Sequence, residues 1–168
     1  MIILDIEATC WGDSDPRRSM QRQISEVIEI GAVKLGRNFT KLSEFSSFVK
    51  PEKYPVLSDF CKELTTISQA DVDAASDFPT VWNNFLDWCG DDCVMASWGQ
   101  YDLNMLKKQS FEFGLPCNLA HINLKDKFGG RGLGVTAKSL GIKFSGAQHR
   151  ALVDARAVAD IFIKNTTQ

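Results

Sequence analysis

Three apolar segments follow one another in the first 50 residues of this sequence and indicate how the chain begins to fold. Residues 2–4, 27–35 and 39–49 are rich in apolar and β-branched side chains and are separated by polar or glycine-containing stretches, which is typical of β-strands. We predict that the first strand stops at Asp5 and that a turn at residues 36–38 joins the second strand to the third. Three sequential strands of this kind indicate an antiparallel meander.

The character of the sequence changes after Pro55, where helical patterns alternate with short strands. Capping residues and apolar spacing predict helices at residues 58–64, 79–89, 102–113, 136–140 and 151–164, with strands at 93–97 and 119–124. Ser68 and Asp71 have the spacing of a capping box. A meander followed by strand–helix alternation predicts an α/β fold with a mixed sheet. The length of 168 residues and the 44% hydrophobic content suit one domain, residues 1–168.

The composition indicates the cellular compartment in which we expect the protein. No window approaches the roughly 18 consecutive apolar residues of a membrane span, so we expect no membrane partner. The N-terminus lacks the basic region of a signal peptide, and five cysteines without a CxxC pair indicate reduced thiols. We therefore expect a cytoplasmic protein. The formal net charge of −2 does not indicate nucleic-acid binding, but local patches and bound metal outweigh a net count.

Carboxylates follow two of the predicted strands. Asp5 and Glu7 come directly after the first, and they lie on one side of the chain because strand side chains alternate. Asp102 follows the strand at residues 93–97. Hard oxygen ligands suit Mg²⁺ or Mn²⁺, so these acids predict a metal-binding edge. From the residues alone, a pair of solvated acids and a helix N-cap at Asp102 remain the alternatives.

One histidine precedes an aspartate near the C-terminus. Five helical residues rotate about 140° beyond a full turn, so His149 and Asp154 do not share a helix face. Gly146 places His149 on a loop and Asp154 in the first turns of the following helix. An imidazole with a pKa near neutrality suits a proton acceptor, although a solvated loop histidine is the alternative. His121 lies inside an apolar run and is predicted to be structural.

Three short motifs occur in a fixed order, namely Asp-x-Glu-Ala-Thr, Trp-x-x-Tyr-Asp and His-x4-Asp. Together they resemble the motifs of the DEDDh 3′–5′ exonucleases, which belong to the RNase H-like superfamily. The branch of histone-mRNA and small-interfering-RNA exonucleases is most similar, through the segments DIEATC, EVIEIGAV, LSDFCKELTTISQADVDAA, FPTV and SWGQYD. The match spans nearly the whole chain. Thr66 departs from it, since that branch usually has glycine at this turn.

The resemblance implies an RNase H-like fold, with a five-stranded mixed β-sheet flanked by α-helices, and two divalent cations, Mg²⁺ or Mn²⁺. It implies that Asp5, Glu7 and Asp154 hold the cation on the nucleophile side, with Asp5 bridging to a second cation. Asp102 would support that second cation largely through water. His149 would be the general base.

Substrate contacts are also implied by the resemblance. Ala8 and Thr9 would meet the terminal nucleotide. Trp98 and the segment around Phe60 and Cys61 would line its base pocket. From the residues alone, Trp98 is either a core side chain or a flat surface for a base.

These expectations combine into a metal-dependent 3′–5′ exonuclease that releases nucleoside 5′-monophosphates from single-stranded nucleic-acid 3′ ends. RNA is favoured as the partner and DNA is the alternative; nothing in the sequence indicates a protein partner. Two other classes remain open. Asp5-Ile-Glu-Ala-Thr9 is similar to the Asp-x-Asp-x-Thr signature of phosphatases with an aspartyl nucleophile, although Glu7 replaces the second aspartate. A module that grips nucleic-acid ends without cutting them is the other.

Overall fold

The computed structural model describes residues 1–91 and 93–166 and contains a five-stranded mixed sheet. The strands are β1 (Ile2–Ala8), β2 (Val27–Leu35), β3 (Lys41–Phe48), β4 (Val94–Ser97) and β5 (Ala120–Asn123). They lie in the order β3-β2-β1-β4-β5. The pairs β1–β2 and β2–β3 are antiparallel, whereas β1–β4 and β4–β5 are parallel. The predicted meander and mixed sheet are confirmed.

β1 runs past the predicted end at Asp5 and continues to Ala8, so that boundary is wrong. Asp5 pairs with Gly31 and Glu7 with Glu29 on β2. Backbone ladder bonds do not require apolar side chains, and β2 is long enough to keep pairing after the apolar run of β1 has ended. The two acids therefore lie on a paired strand in the middle of the sheet.

Helices and strands alternate after residue 55 as predicted. The helices are α1 (Gln21–Ile24), α2 (Asp59–Thr65), α3 (Gln69–Asp73), α4 (Phe78–Cys89), α5 (Tyr101–Glu112), α6 (Leu124–Lys127), α7 (Leu133–Ser139) and α8 (Ala151–Thr166). The capping box of Ser68 and Asp71 is present at the start of α3. The polar stretch at residues 9–23, which the sequence predicts to be a loop, contains the 3-10 helix Pro16–Met20 and most of α1. That segment and α6 were missed because a single helical turn has no measurable periodicity.

Helices cover both faces of the sheet. On one face α4 packs Phe78, Trp82 and Phe85 against even-numbered residues of β1 such as Leu4. On the other face α8 packs against Ile3, the odd-numbered set to which the two acids of β1 also belong. Because both faces are covered, β2 is almost entirely buried. No helix in the described ranges is both long enough and apolar enough to cross a membrane.

The turn after α2 has a backbone conformation that favours glycine, although this chain has Thr66 there. Thr66 follows α2 with φ at +59°, a left-handed conformation, and its N–H donates to the Lys62 carbonyl at 2.9 Å. Glycine adopts this conformation without steric cost, whereas a β-branched residue there is strained by roughly 1–3 kcal/mol. Ile67, directly after it, is fully buried with Cys61, and this packing holds the turn.

Candidate active site

The open edge of β1 positions the first pair of acids. Pairing between β1 and β4 ends at Ile3 and Ala96, so the later residues of β1 have no neighbouring strand on that side. There the Ile6 N–H donates to Oδ1 of Asp102 at 3.2 Å. This contact brings the carboxylate of α5 beside Asp5 and Glu7, which share one face of β1.

Asp102 lies in the first turn of α5 and is buried. The cap position belongs to Gln100, whose side chain makes no capping hydrogen bond, so the N-cap alternative for Asp102 is wrong. Burial raises the pKa of Asp102 to about 6, while hydrogen bonds from Ser97 and from backbone N–H groups oppose that rise. The aspartate is therefore turned inward, toward the acids of β1.

The start of α8 is fixed against β2 by a buried glutamate. Glu29 is 2% exposed, and its Oε1 accepts from Nη2 of Arg150 at 3.0 Å. Its Oε2 accepts from Nε of Arg150 at 3.2 Å and from the Ala151 N–H at 3.0 Å. The Arg150 guanidinium also lies over the Phe48 ring, 5.2 Å from its centre. Glu29 thus caps α8 and holds the residue that directly follows His149.

Gly31 permits this close approach of α8 to the sheet. A Cβ at this position would lie 2.1 Å from the backbone nitrogen of Leu152 and 2.3 Å from the carbonyl carbon of Ala151. Both neighbours are backbone atoms, which cannot rotate away as a side chain can. The absence of a side chain at Gly31 therefore sets the distance between the sheet and the start of α8.

His149 and Asp154 occupy the places predicted for them. His149 lies on the loop before α8 with φ at +60°, and Asp154 lies in the first turn of the helix. The His149 N–H donates to Oδ2 of Asp154 at 3.1 Å. Oδ1 of Asp154 is buried and has no hydrogen-bond partner in the described part of the chain. Buried carboxylate oxygens normally accept a hydrogen bond or bind a cation. Because Oδ1 of Asp154 has no donor, it is available to a cation.

Electrostatic repulsion accumulates in this cluster. Burial, together with the charges of Asp102, Glu7, Asp154 and Glu29, raises the pKa of Asp5 well above its usual value. Burial, followed by the charges of Asp154, Glu29 and Asp102, raises the pKa of Glu7 to about 8. Burial also raises the pKa of Asp154, opposed by its hydrogen bond from His149. All these carboxylates ionise together only when cations offset their charge.

The donor set fits a divalent cation. One ligand atom from each of Glu7, His149 and Asp154 lies within 4.8 Å of the other two. Asp5 and Asp102 are outside this tight group but border it. In addition to burial, the charges of Glu7 and Asp154 contribute to the raised pKa of Asp5, and the charge of Asp102 contributes to that of Glu7. The site offers the carboxylate oxygens of four acidic residues, and such oxygen ligands suit Mg²⁺ or Mn²⁺. The structure thus brings together all five residues predicted to be catalytic.

Four of the five residues predicted to bind substrate lie around the chain that follows β1. Sγ of Cys61 is 3.7 Å from the Ala8 carbonyl oxygen, and Cys61 is fully buried. Thr9 is buried as well, and its hydroxyl accepts from the Glu26 N–H at 2.9 Å. Phe60 is 41% exposed and packs beside Gly12. Contact of these residues with a nucleotide stays a prediction, and of the four Phe60 offers the most accessible surface.

Trp98 lies apart from that group, on the loop after β4. Its ring stacks on Phe128, with 6.0 Å between ring centres and 8° between planes, and its Nε1 donates to the Arg131 carbonyl at 3.0 Å. It is half-buried against the core under α8. Trp98 is therefore compatible with a core role and with base stacking, since one face of its ring packs and the side chain remains partly accessible.

The sequence alone assigned no role to three residues that shape this site. Glu29 and Gly31 lie inside an apolar strand, and a charged or glycine residue in such a position signals a buried partner or a close backbone approach. Tyr101 directly precedes the buried Asp102 and is itself 43% exposed. A search for exceptions within the apolar pattern finds the first two, whereas the exposure of Tyr101 is visible only in three dimensions.

Known proteins are similar to this chain over most of its length. "ERI1 exoribonuclease 2" of Mus musculus is 30% identical and aligns with 95% of the chain, which spans only 27% of that relative. "Probable 3'-5' exonuclease KapD" of Bacillus subtilis (strain 168) is 31% identical over 96% of the chain and 82% of its own length. The solved nuclease domain of 3'hExo, described as a DEDDh family member bound to rAMP, superposes with a TM-score of 0.86 and 28% identity. That superposition covers 99% of this chain and 90% of the other.

The family model matches over the same extent. The exonuclease model RNase_T covers residues 2–162, from β1 into the last turns of α8. That range includes every residue of the carboxylate cluster and the histidine beside it. The chain is therefore a member of the exonuclease family RNase_T, with the DEDDh motifs and RNase H-like fold that its sequence predicted.

Proposed function

We propose that this chain is a metal-dependent 3′–5′ exonuclease that releases nucleoside 5′-monophosphates from single-stranded 3′ ends, with RNA favoured over DNA. The convergence of Glu7, His149 and Asp154, with one buried Asp154 oxygen left unpaired, carries the proposal. RNA is favoured because similar proteins are described as exoribonucleases, and a similar nuclease domain was solved with rAMP.

Carboxylates define where cations would be held. Asp5, Glu7 and Asp154 would hold one, and Asp5 with Asp102 would support a second. When bound, such ions supply Lewis acidity, which eases deprotonation of water and offsets charge that develops on a phosphate and its leaving oxygen. The Glu29–Arg150 pair keeps Asp154 in place through the start of α8.

His149 is proposed as the general base. Its side chain is exposed at the mouth of the site, on a cavity of about 190 Å³ that Gln148 and Asp154 also line. An imidazole there accepts a proton from the water that attacks the terminal phosphate. The 4.8 Å spacing equally suits a ligand role for this ring. A base variant loses rate at unchanged cation affinity, whereas a ligand variant loses both.

The test compares variants of three α8-side residues on a labelled single-stranded oligonucleotide. Asp154→Asn is expected to lose at least 100-fold in kcat with Mg²⁺, and His149→Ala at least 100-fold near neutral pH with little change in the Mg²⁺ half-saturation. Asp160→Asn is the matched control, because Asp160 lies on α8 but pairs on the surface with Lys41. Unchanged activity in Asp154→Asn contradicts the metal assignment.

Substrate and product chemistry separate the remaining alternatives. Single-stranded RNA, single-stranded DNA and hairpins with 3′ overhangs are compared with Mg²⁺, Mn²⁺ or a chelator. Release of mononucleotides, faster from RNA than from DNA, supports the proposal. If DNA is hydrolysed faster, DNA is the preferred substrate. Internal fragments contradict the exonucleolytic mode. Binding without hydrolysis favours an end-binding module, and covalent phosphate on Asp5 favours the phosphatase.

The cytoplasm is the proposed compartment, and residues 1–168 are proposed to act as one domain. Support for the compartment comes from the cysteines, all of which are free thiols: Cys10, Cys61, Cys89, Cys93 and Cys117. Unpaired thiols are usual in reducing compartments.

A further inference from the structure

Two adjoining cavities border the N-terminal end of α5. One, of about 360 Å³, is lined by Arg22, Tyr101, Asn104 and Met105. The other, of about 520 Å³, is lined by Arg18, Ser19, Gln21, Arg22, Gln23 and Tyr101. Since Arg22 and Tyr101 line both, the cavities form one groove between residues 18–23 and the start of α5. Each volume falls in the range of about 300–1,000 Å³ that is typical of ligand sites.

The groove adjoins the catalytic cluster, which consists of Asp5, Glu7, Asp102, His149 and Asp154. Tyr101 is the residue directly before Asp102, whose carboxylate accepts from the Ile6 N–H on β1. Residues 18–23 are fastened to the same helix, because Nζ of Lys108 on α5 donates to the Gln23 carbonyl at 2.9 Å. A strand whose 3′ end occupies the cluster therefore has a walled path along the start of α5.

The arginines of residues 17–22 differ in the contacts that they already make, and of these Arg18 and Arg22 line the groove. Arg17 is held by both oxygens of Asp15 and lies over the Trp11 ring. Arg18 makes a surface ion pair with Asp13, the kind of pair that contributes little. Arg22 is exposed and makes no hydrogen bond or ion pair within residues 1–91 and 93–166. An unengaged guanidinium beside an acidic cluster supplies the positive charge that a polyanion needs there.

We propose that this groove binds the backbone of the strand upstream of the scissile bond, with Arg22 as the ligand of the first upstream phosphodiester. The inference rests on the proposed exonuclease function and adds a subsite to it. Guanidinium and phosphate match in charge and geometry, so a bidentate contact forms without rearrangement of buried groups. Arg18 lies one turn earlier along the same wall and strengthens the field at the next phosphate.

Substrate length provides the test. A dinucleotide has only the scissile phosphodiester, whereas a trinucleotide has one upstream phosphodiester in addition. Arg22→Ala is expected to raise KM for the trinucleotide about tenfold at unchanged kcat, and to leave kcat/KM for the dinucleotide within twofold. A trinucleotide with a neutral methylphosphonate at the upstream position should be cleaved equally by wild type and variant.

Arg37→Ala is the matched control. Arg37 is an exposed arginine on the turn between β2 and β3, next to the end of β2 that pairs with Ile2, and so far from Glu7. It should behave as wild type on all substrates. The slope of log affinity against log salt for a longer strand should become shallower by about 0.7 in Arg22→Ala and stay unchanged in Arg37→Ala.

The outcomes are separable from those of the proposed function. Equal losses on dinucleotide and trinucleotide, or no loss on either, overturn the subsite. If wild type hydrolyses nothing, the proposed function fails, and the subsite is still decided by the affinity of fluorescent hexanucleotide for wild type and Arg22→Ala. Equal affinity in that measurement overturns it.

Discussion

Two sides of the catalytic cluster are held in place by different kinds of contact. On the α8 side, Glu29 bonds Arg150 and Ala151 across more than 120 positions of sequence, and these contacts are buried or half-buried. On the groove side, residues 16–20 are held by pairs such as Arg17–Asp15, which are two residues apart and partly exposed. The fold therefore fixes the side that is proposed to carry proton transfer and the cation ligands. On the side proposed to meet the strand, a single lysine, Lys108 of α5, bonds the Gln23 carbonyl from a distant part of the sequence, so we expect this side to tolerate more change.

The largest loss of activity and stability is expected at Gly31, where α8 packs directly against the backbone of β2. Gly31→Ala places a methyl group 2.1 Å from the Leu152 nitrogen, so α8 must move away from β2. We expect a loss of at least 100-fold in kcat/KM and a destabilisation of about 3 kcal/mol, or roughly 6–12 °C in Tm. Steady-state hydrolysis of an oligonucleotide and thermal unfolding measure the two effects.

Gly12→Ala is the control on the groove side. There an added methyl would lie 3.3 Å from the Phe60 ring, a side chain that can rotate away. The Tm of Gly12→Ala should stay within about 2 °C of wild type. Similar Tm losses in the two variants would contradict the contrast between the sides.

A smaller effect is expected from removing one charge at the α8 cap. Glu29→Gln retains the shape but loses the ionic contact with Arg150, which leaves a half-buried guanidinium without its counter-ion. We expect kcat to fall about tenfold while KM stays within twofold, because the side chain positions His149 and Asp154 without touching substrate. Glu29→Asp should recover part of the loss.

An exposed ion pair that also links the sheet to the α8 region serves as its control. Glu44 on β3 pairs with Arg156 on α8, and both side chains are about one-third exposed. Glu44→Gln should leave kcat within twofold of wild type, because exposed pairs contribute about 0–1 kcal/mol. A kcat loss in Glu44→Gln equal to that in Glu29→Gln would show that any loosening of α8 slows the reaction.

The contrast also explains which features could be predicted from sequence. The meander, the parallel strands and the places of His149 and Asp154 follow from periodicity and from one glycine, signals that act over a few residues. The strand pattern marks Glu29 and Gly31 as exceptions, but their roles depend on a helix more than 100 residues away, which the pattern does not show. The groove could not be predicted, because one of its walls is formed by residues 16–24. The helical segments there are too short to show a periodic apolar pattern.

The smallest expected effect tests charge on the α8 side through metal and pH. In the metal-free fold the pKa of Glu7 is raised from 4.5 to about 8, so the folded state retains a proton that the unfolded state releases. The stability of the metal-free protein therefore falls as pH rises from about 4.5 to about 8. Bound Mg²⁺ removes this penalty by occupying the ionised site. The difference in Tm between Mg²⁺ and chelator should widen by about 5 °C from pH 6 to pH 8.

Asp15 on the groove side gives the opposite sign. Hydrogen bonds from Arg17 lower the pKa of Asp15, so any stability it contributes is present above its unfolded pKa and is lost as pH falls. Asp15→Asn should leave the pH dependence of the Mg²⁺ effect unchanged, whereas Glu7→Gln should flatten it. If Glu7→Gln keeps the full widening, the unbalanced charge does not lie at Glu7. The α8 side would then be distinguished by its packing rather than by its charge.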